Sequence, residues 1–154
     1  MNIKIINLHK RYKINERLVK KIAGEILKFC RSKRRIELNL IFLDDRAIRI
    51  LNKKYRGKDI PTDVLTFTIA GADFSRKTDL GEAYISIDRA RANAAIFDTD
   101  FASEVVLYVI HAILHILGYE DEDAKSFRRM SKKQQEVLKH ICKWQNLSKV
   151  LMPQ

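Results

Sequence analysis

The chain has 154 residues, 46% of them hydrophobic, with a formal net charge of +11 and a sequence pI near 9.8. That length suits one domain with a real core, and no apolar run approaches the roughly 18–20 residues of a membrane span. The positive balance favours polyanionic partners, RNA or DNA first, over a charge that serves only solubility. The two cysteines, Cys30 and Cys142, lie far apart without a C-x-x-C pattern. They suggest neither a disulfide framework nor a cysteine zinc site. The N-terminus, Met1-Asn2-Ile3-Lys4-Ile5-Ile6, lacks the apolar core of a secretory signal, so a reduced cytoplasmic protein is expected.

In chain order, the isoleucine-rich stretch Asn2 to Asn7 reads as a strand. Asn15 caps a helix in which Leu18, Ile22, Ile26 and Phe29 recur at helical spacing. It ends in the basic cluster Arg31, Lys33, Arg34 and Arg35. Ile36 to Leu43 has a strand pattern. Asp44 or Asp45 then caps a short helix to about Tyr55. Gly57 and Pro61 break regular structure before the β-prone run Val64 to Ile69. In that basic loop Arg56 can bind phosphate as a planar fork, or pair with Asp59 or Asp63. The polar stretch Ala70 to Leu80, with Gly71, Asp73, Ser75 and Thr78, reads as a connecting loop, and Gly81 to Ile87 as a strand. Asp88 is expected to cap a helix to about Phe97, and Asp98-Thr99-Asp100 to turn into the next, from Phe101 to Leu117. Asp121 or Asp123 starts a last helix to about Ile141. From Trp144 the periodicity weakens and the tail reads as frayed. Strands and helices mix without strict βαβ alternation. An α+β single domain is expected, with a small mixed sheet of about four strands and about five helices.

The helix from Phe101 carries two of the four histidines, His111 and His115, within an apolar run. Residues i and i+4 share a helix face, so both imidazoles can reach one ion. The alternative is a pair of half-buried histidines hydrogen-bonded to neighbours. An unpaired polar ring is costly in such a run, and carboxylates Glu120, Asp121, Glu122 and Asp123 follow Gly118 at once. Two histidines and one oxygen ligand leave a coordination position open on zinc. A zinc peptidase of the H-E-x-x-H type carries its base directly after the first histidine. Here that position is Ala112, which cannot carry a proton.

Three stretches together resemble the YbeY family, metal-dependent endoribonucleases of ribosomal RNA maturation. His111-Ala112-Ile113-Leu114-His115-Ile116-Leu117-Gly118-Tyr119-Glu120-Asp121 is similar to the family's H-G-x-L-H-L-x-G-Y-D-H. Asn52, Tyr55 and Arg56, followed by Thr62-Asp63-Val64-Leu65-Thr66-Phe67, are similar to N-x-x-Y-R leading into T-D-V-L-S-F. Leu80-Gly81-Glu82-Ala83 is similar to L-G-D-I. The chain departs from the signature at Ala112, at Glu120 and, most consequentially, at Asp121, where the family has its third metal-binding histidine. A carboxylate can ligate zinc, and two histidines plus one acid form a known catalytic set; the match is weakened there but not abolished, and a carboxylate suits harder cations better than a third imidazole does.

The resemblance implies an endoribonuclease domain over residues 1–143 and a C-terminal tail over 144–154. It further implies one divalent metal ion, zinc, held by His111, His115 and Asp121, and Arg56 on the scissile phosphate. The expected substrate is single-stranded RNA. The expected partner is a ribosomal RNA precursor or a ribosomal subunit, in maturation and quality control of the ribosome. A non-catalytic RNA- or ribosome-binding factor and a metal hydrolase of another substrate are the alternatives.

Overall fold

The computed structural model describes residues 2–73 and 77–153. Strands β1 (Ile3–Asn7), β3 (Arg35–Leu43), β5 (Thr78–Ser86) and β4 (Val64–Asp73) form a mixed sheet in the order β1-β3-β5-β4. β1 and β5 run parallel to β3, whereas β4 pairs antiparallel with β5 and closes one side of the sheet. β2 (Lys13–Ile14) pairs with β6 (Leu151–Met152) in a second, two-stranded sheet. The helices are α1 (Glu16–Phe29), α2 (Asp45–Arg56), α3 (Ile87–Phe97), α4 (Phe101–Ile116) and α5 (Ala124–Cys142). The α+β single domain expected from the pattern is therefore what forms.

Two apolar layers hold it. The larger core joins Ile22 and Ile26 of α1, Leu38, Leu40 and Phe42 of β3, and Met130, Val137 and Ile141 of α5 around α4. The smaller one packs Ile48 of α2 on Ile41, Leu43 and Leu65, on the other sheet face. Side chains alternate across a strand, so neighbouring β3 residues serve opposite layers. Val105, Val109, Ile110, Ile113, Leu114 and Ile116 of α4 are all buried, which makes α4 a central helix covered on most sides.

Helix ends follow short polar side chains. Asn15 Oδ1 accepts from Leu18 N–H at 3.1 Å and Asp44 Oδ1 from Ala47 N–H at 2.8 Å. Asp100 caps α4 and Asp123 caps α5 through a reciprocal capping box with Ser126.

Three expectations need correction. Asp88 does not cap α3: Ser86 does, its Oγ accepting from Arg89 N–H at 3.2 Å. Asp88 sits inside the first turn, where it accepts from Asp45 N–H and pairs with His9 Nε2, each at 2.9 Å. The stretch from Ala70 is not a loop throughout. β4 continues to Asp73 and β5 begins at Thr78, with Asp73 opposite Thr78 and an irregularity after Ile69. Thr68, Ile69 and Ala70 of β4 are exposed, so this part of the strand needs no apolar face and its composition imitates a loop. Ser75 lies outside the described residues. Nor is the tail frayed: Leu147 and Val150 of a 3-10 turn (Leu147–Val150) are buried, and Asn15 N–H donates to Val150 O at 2.8 Å. A single turn is too short to show periodicity.

Candidate metal centre

The site is built on the C-terminal end of α4. Gly118, at φ +100°, terminates the helix. Gly118 N–H donates to His115 O and Tyr119 N–H to Leu114 O, each at 3.0 Å. This is the double bond pattern of a left-handed glycine stop. It turns the chain back across the histidine face and delivers Asp121 there. His115 Nε2 lies 2.9 Å from His111 Nε2, and Asp121 Oδ2 lies 3.5 Å from the former and 3.7 Å from the latter. Tetrahedral zinc with bonds of about 2.0–2.1 Å separates its ligand atoms by about 3.3 Å, so the triangle is near the required size. Among the described residues this is the group whose donor atoms converge in that way, all within 4.8 Å of one another.

The outer partners settle which nitrogens face inward. His115 Nδ1–H donates to the Tyr119 carbonyl at 3.0 Å. His111 Nδ1 is hydrogen-bonded to Gln134 Oε1, reaching over from α5. With both Nδ1 atoms donating, each neutral ring turns an Nε2 lone pair inward, where the two face one another and a carboxylate oxygen. That cluster is self-repelling unless a cation sits in it, so the donor set fits a divalent ion. Burial and the adjacent His111 both hold the His115 pKa below its ordinary value, against the pull of Asp121, and so favour the neutral, ligating form.

A cavity of about 710 Å³ opens over these three residues. Arg56 at the end of α2, Lys58, Thr62 and Asp63 from the following loop, and Val64, Leu65 and Thr66 of β4 line it as well. α2 stops at Gly57, φ +69°, and buried Asn52 pins the next loop by donating Nδ2–H to Ile60 O at 2.9 Å. The ion-pair alternative for Arg56 finds its acids engaged elsewhere. Asp59 binds Arg49 at 2.9 Å, with Lys53 at 3.9 Å. Asp63 Oδ1 accepts from Val64 N–H at 2.8 Å and from Thr62 Oγ1 at 3.2 Å. Among the described residues Arg56 makes no ion pair. Glu120 and Glu122 line the cavity without joining the ligand triangle.

Sequence reasoning missed Gln134 and gave Asp63 and Gly81 no place beside the histidines, naming them only as motif positions and, for Asp63, as an ion-pair candidate. Gln134 lies 23 residues from His111, and only the packing of α5 on α4 brings them together. Gly81 lies on β5 beneath the end of α4, where an added Cβ would come within 2.8 Å of Ile116 Cγ2.

The family model described as Endoribonuclease YbeY matches residues 4–142. Endoribonuclease YbeY of Syntrophus aciditrophicus is 34% identical over 143 residues, covering 89% of this chain and 88% of the relative. That of Wolinella succinogenes is 41% identical over 102 residues, covering 66% and 69%. The solution structure of TM1509 from Thermotoga maritima superimposes with a TM-score of 0.63 at 31% identity, covering 92% of this chain and 91% of that one. The histidine helix, its glycine stop and the Arg56 loop all fall inside the matched span, and the chain belongs to the YbeY endoribonuclease family.

Proposed function

We propose that the protein is a zinc-dependent endoribonuclease specific for single-stranded RNA, acting in ribosomal RNA maturation and quality control in the cytoplasm. A ribosomal RNA precursor or ribosomal subunit is its partner. The observation that carries this reading is the inward-facing triangle of His111, His115 and Asp121 across one cavity from Arg56, which makes no ion pair among the described residues. A divalent ion there supplies Lewis acidity toward a phosphoryl oxygen or a water. Arg56 binds the scissile phosphate with its planar fork and stabilises the charge that grows on it. Asp63, held by Thr62 and the Val64 amide, carries a carboxylate into the same cavity and takes the proton from the attacking hydroxyl. Gln134 and the Tyr119 carbonyl keep both imidazoles turned inward.

The charge distribution supports a polyanionic substrate. Residues 124–143 carry seven lysines and arginines against one acid, more than half of the net +11. A peptidase reading is disfavoured because Ala112, the residue after the first histidine, is fully buried and has no proton to exchange.

The test is purified protein on end-labelled single-stranded RNA. Cleavage is expected, abolished by a chelator, restored by zinc and absent from His111→Ala and His115→Ala. Binding without cleavage in every metal condition would reject the reading and leave an RNA-binding factor.

A further inference from the structure

We propose that the open edge of β4 is a main-chain reader of unpaired bases, and that Thr66 is its central residue. The inference rests on the endoribonuclease reading for its ligand and adds the element that imposes single-strandedness. β4 is the outermost strand of the sheet, and its Val64, Leu65 and Thr66 line the cavity that holds His111 and His115. Ser86 N–H donates to Asp63 O at 2.9 Å, which makes Asp63 and Ser86 a hydrogen-bonded antiparallel pair. Such pairs alternate along a ladder. Asp63, Leu65 and Phe67 therefore turn their amides and carbonyls toward β5, while Val64, Thr66 and Thr68 turn theirs away from the sheet.

The first outward amide is already used, since Val64 N–H donates to Asp63 Oδ1 at 2.8 Å. Thr66 is the next. Among the described residues no hydrogen bond reaches its N–H or its C=O. A donor and an acceptor thus stand side by side on one residue, directed outward at the cavity. Open edges of this kind are templates for pairing, and proteins normally blunt them. Here the edge is left open where Arg56 and Lys58 supply positive charge for a phosphodiester chain.

An adjacent donor and acceptor match the Watson–Crick edge of every base: N1 and N6–H of adenine, N3 and N4–H of cytosine, O6 and N1–H of guanine, O4 and N3–H of uracil. In a duplex that edge is engaged, whereas in a single strand it is free to be read. The Thr66 main chain therefore selects unpaired nucleotides without selecting a sequence. An extended peptide added to the same edge would satisfy the same groups. The flanking cations favour the nucleic acid, and the two occupants separate by experiment.

The first measurement is amide exchange in the zinc-loaded wild-type protein, with an oligoribonucleotide whose scissile linkage is non-cleavable. The Thr66 amide is expected to slow by about tenfold or more on binding, the scale of one added hydrogen bond. The second uses oligoribonucleotides with one abasic nucleotide moved stepwise along the strand. Cleavage is expected to fall about tenfold at a single position relative to the cut. Thr66→Pro deletes the amide at an edge position that tolerates proline. It should cleave intact RNA about tenfold more slowly and show no further loss with the abasic strand. Thr66→Val, which keeps the main-chain donor and acceptor, should retain the loss at the abasic position that Thr66→Pro lacks. Zinc content and thermal midpoint report whether Thr66→Pro is folded, and the exchange measurement does not depend on that variant.

Because exchange needs no cleavage, the two readings fail separately. Protection of Thr66 by the non-cleavable strand, with no cutting of its cleavable counterpart, supports the edge inference and removes the endoribonuclease reading. RNA that is cut while Thr66 stays unprotected, or an extended peptide that protects Thr66 where RNA does not, overturns the edge inference.

Discussion

At the scale of single residues, the departure at Asp121 is the most informative feature of the chain. A carboxylate in place of a third imidazole lowers the charge of the proposed ligand set by one and supplies a harder donor. Its oxygen still closes the triangle, at 3.5 and 3.7 Å from the two Nε2 atoms. Asp121→Ala should therefore lose zinc in a competition titration, Glu120→Ala should keep it, and Asp121→His should hold it as tightly or more so. An Asp121→Ala protein that binds zinc like its parent would leave a two-histidine remnant and favour a non-catalytic RNA-binding factor. Arg56 is tested by charge-conserving replacement. A lysine keeps the charge but loses the planar pair of donors, so Arg56→Lys should lower kcat/KM at least tenfold, about 1.4 kcal/mol of transition-state stabilisation, with zinc content unchanged. Undiminished turnover would leave Arg56 a structural cation.

The element scale decides what was readable beforehand. The histidine pair, its glycine stop and the acidic turn were legible because each rests on local geometry: a helical repeat, a left-handed position, a short reach past it. The caps at Asn15, Asp44 and Asp100 were legible for the same reason. Asp88 misled because Ser86, two residues earlier, is an equally good cap, and the choice fell to Asp88's tertiary bonds with His9 and Asp45. Gln134 and Gly81 were unreadable because their partners are remote in sequence. Gly81 carries a prediction of its own. β5 and the end of α4 approach so closely that a methyl group there meets Ile116, the residue next to His115. Overpacking of this kind costs about 1–3 kcal/mol. Gly81→Ala should lower the unfolding midpoint and weaken zinc binding together, as measured by calorimetry and by titration. A variant with a lowered midpoint and unaltered zinc affinity would show that α4 shifts as a unit, carrying both histidines with it.

At the scale of the whole molecule, charge is spread unevenly. On several elements the cations are matched by acids: Arg49 by Asp59, Arg34 by Asp79 and Arg89 by Asp45. α5 differs. Its buried side is Met130, Val137 and Ile141, and Lys125, Arg128, Lys132 and Lys139 are exposed at helical spacing away from that side. Among the described residues, Lys133 is the α5 cation that meets an acid, Glu136 at 3.8 Å. A solvated stripe that served only solubility would leave RNA affinity unmoved when neutralised. A surface that neutralises phosphates releases counterions, and each contact to a single strand contributes about 0.7 to the slope of log affinity against log salt. Replacing Lys125, Arg128, Lys132 and Lys139 together by glutamine should therefore flatten that slope by up to about 3. The variant should weaken binding of long RNA at low salt, and equalise with the parent as salt rises. Turnover of a short oligonucleotide at saturation should not change, because none of the four residues lines the cavity over His111 and His115. An unaltered slope would return the α5 charge to solubility and leave the cations at the cavity, Arg56 and Lys58, to account for RNA affinity.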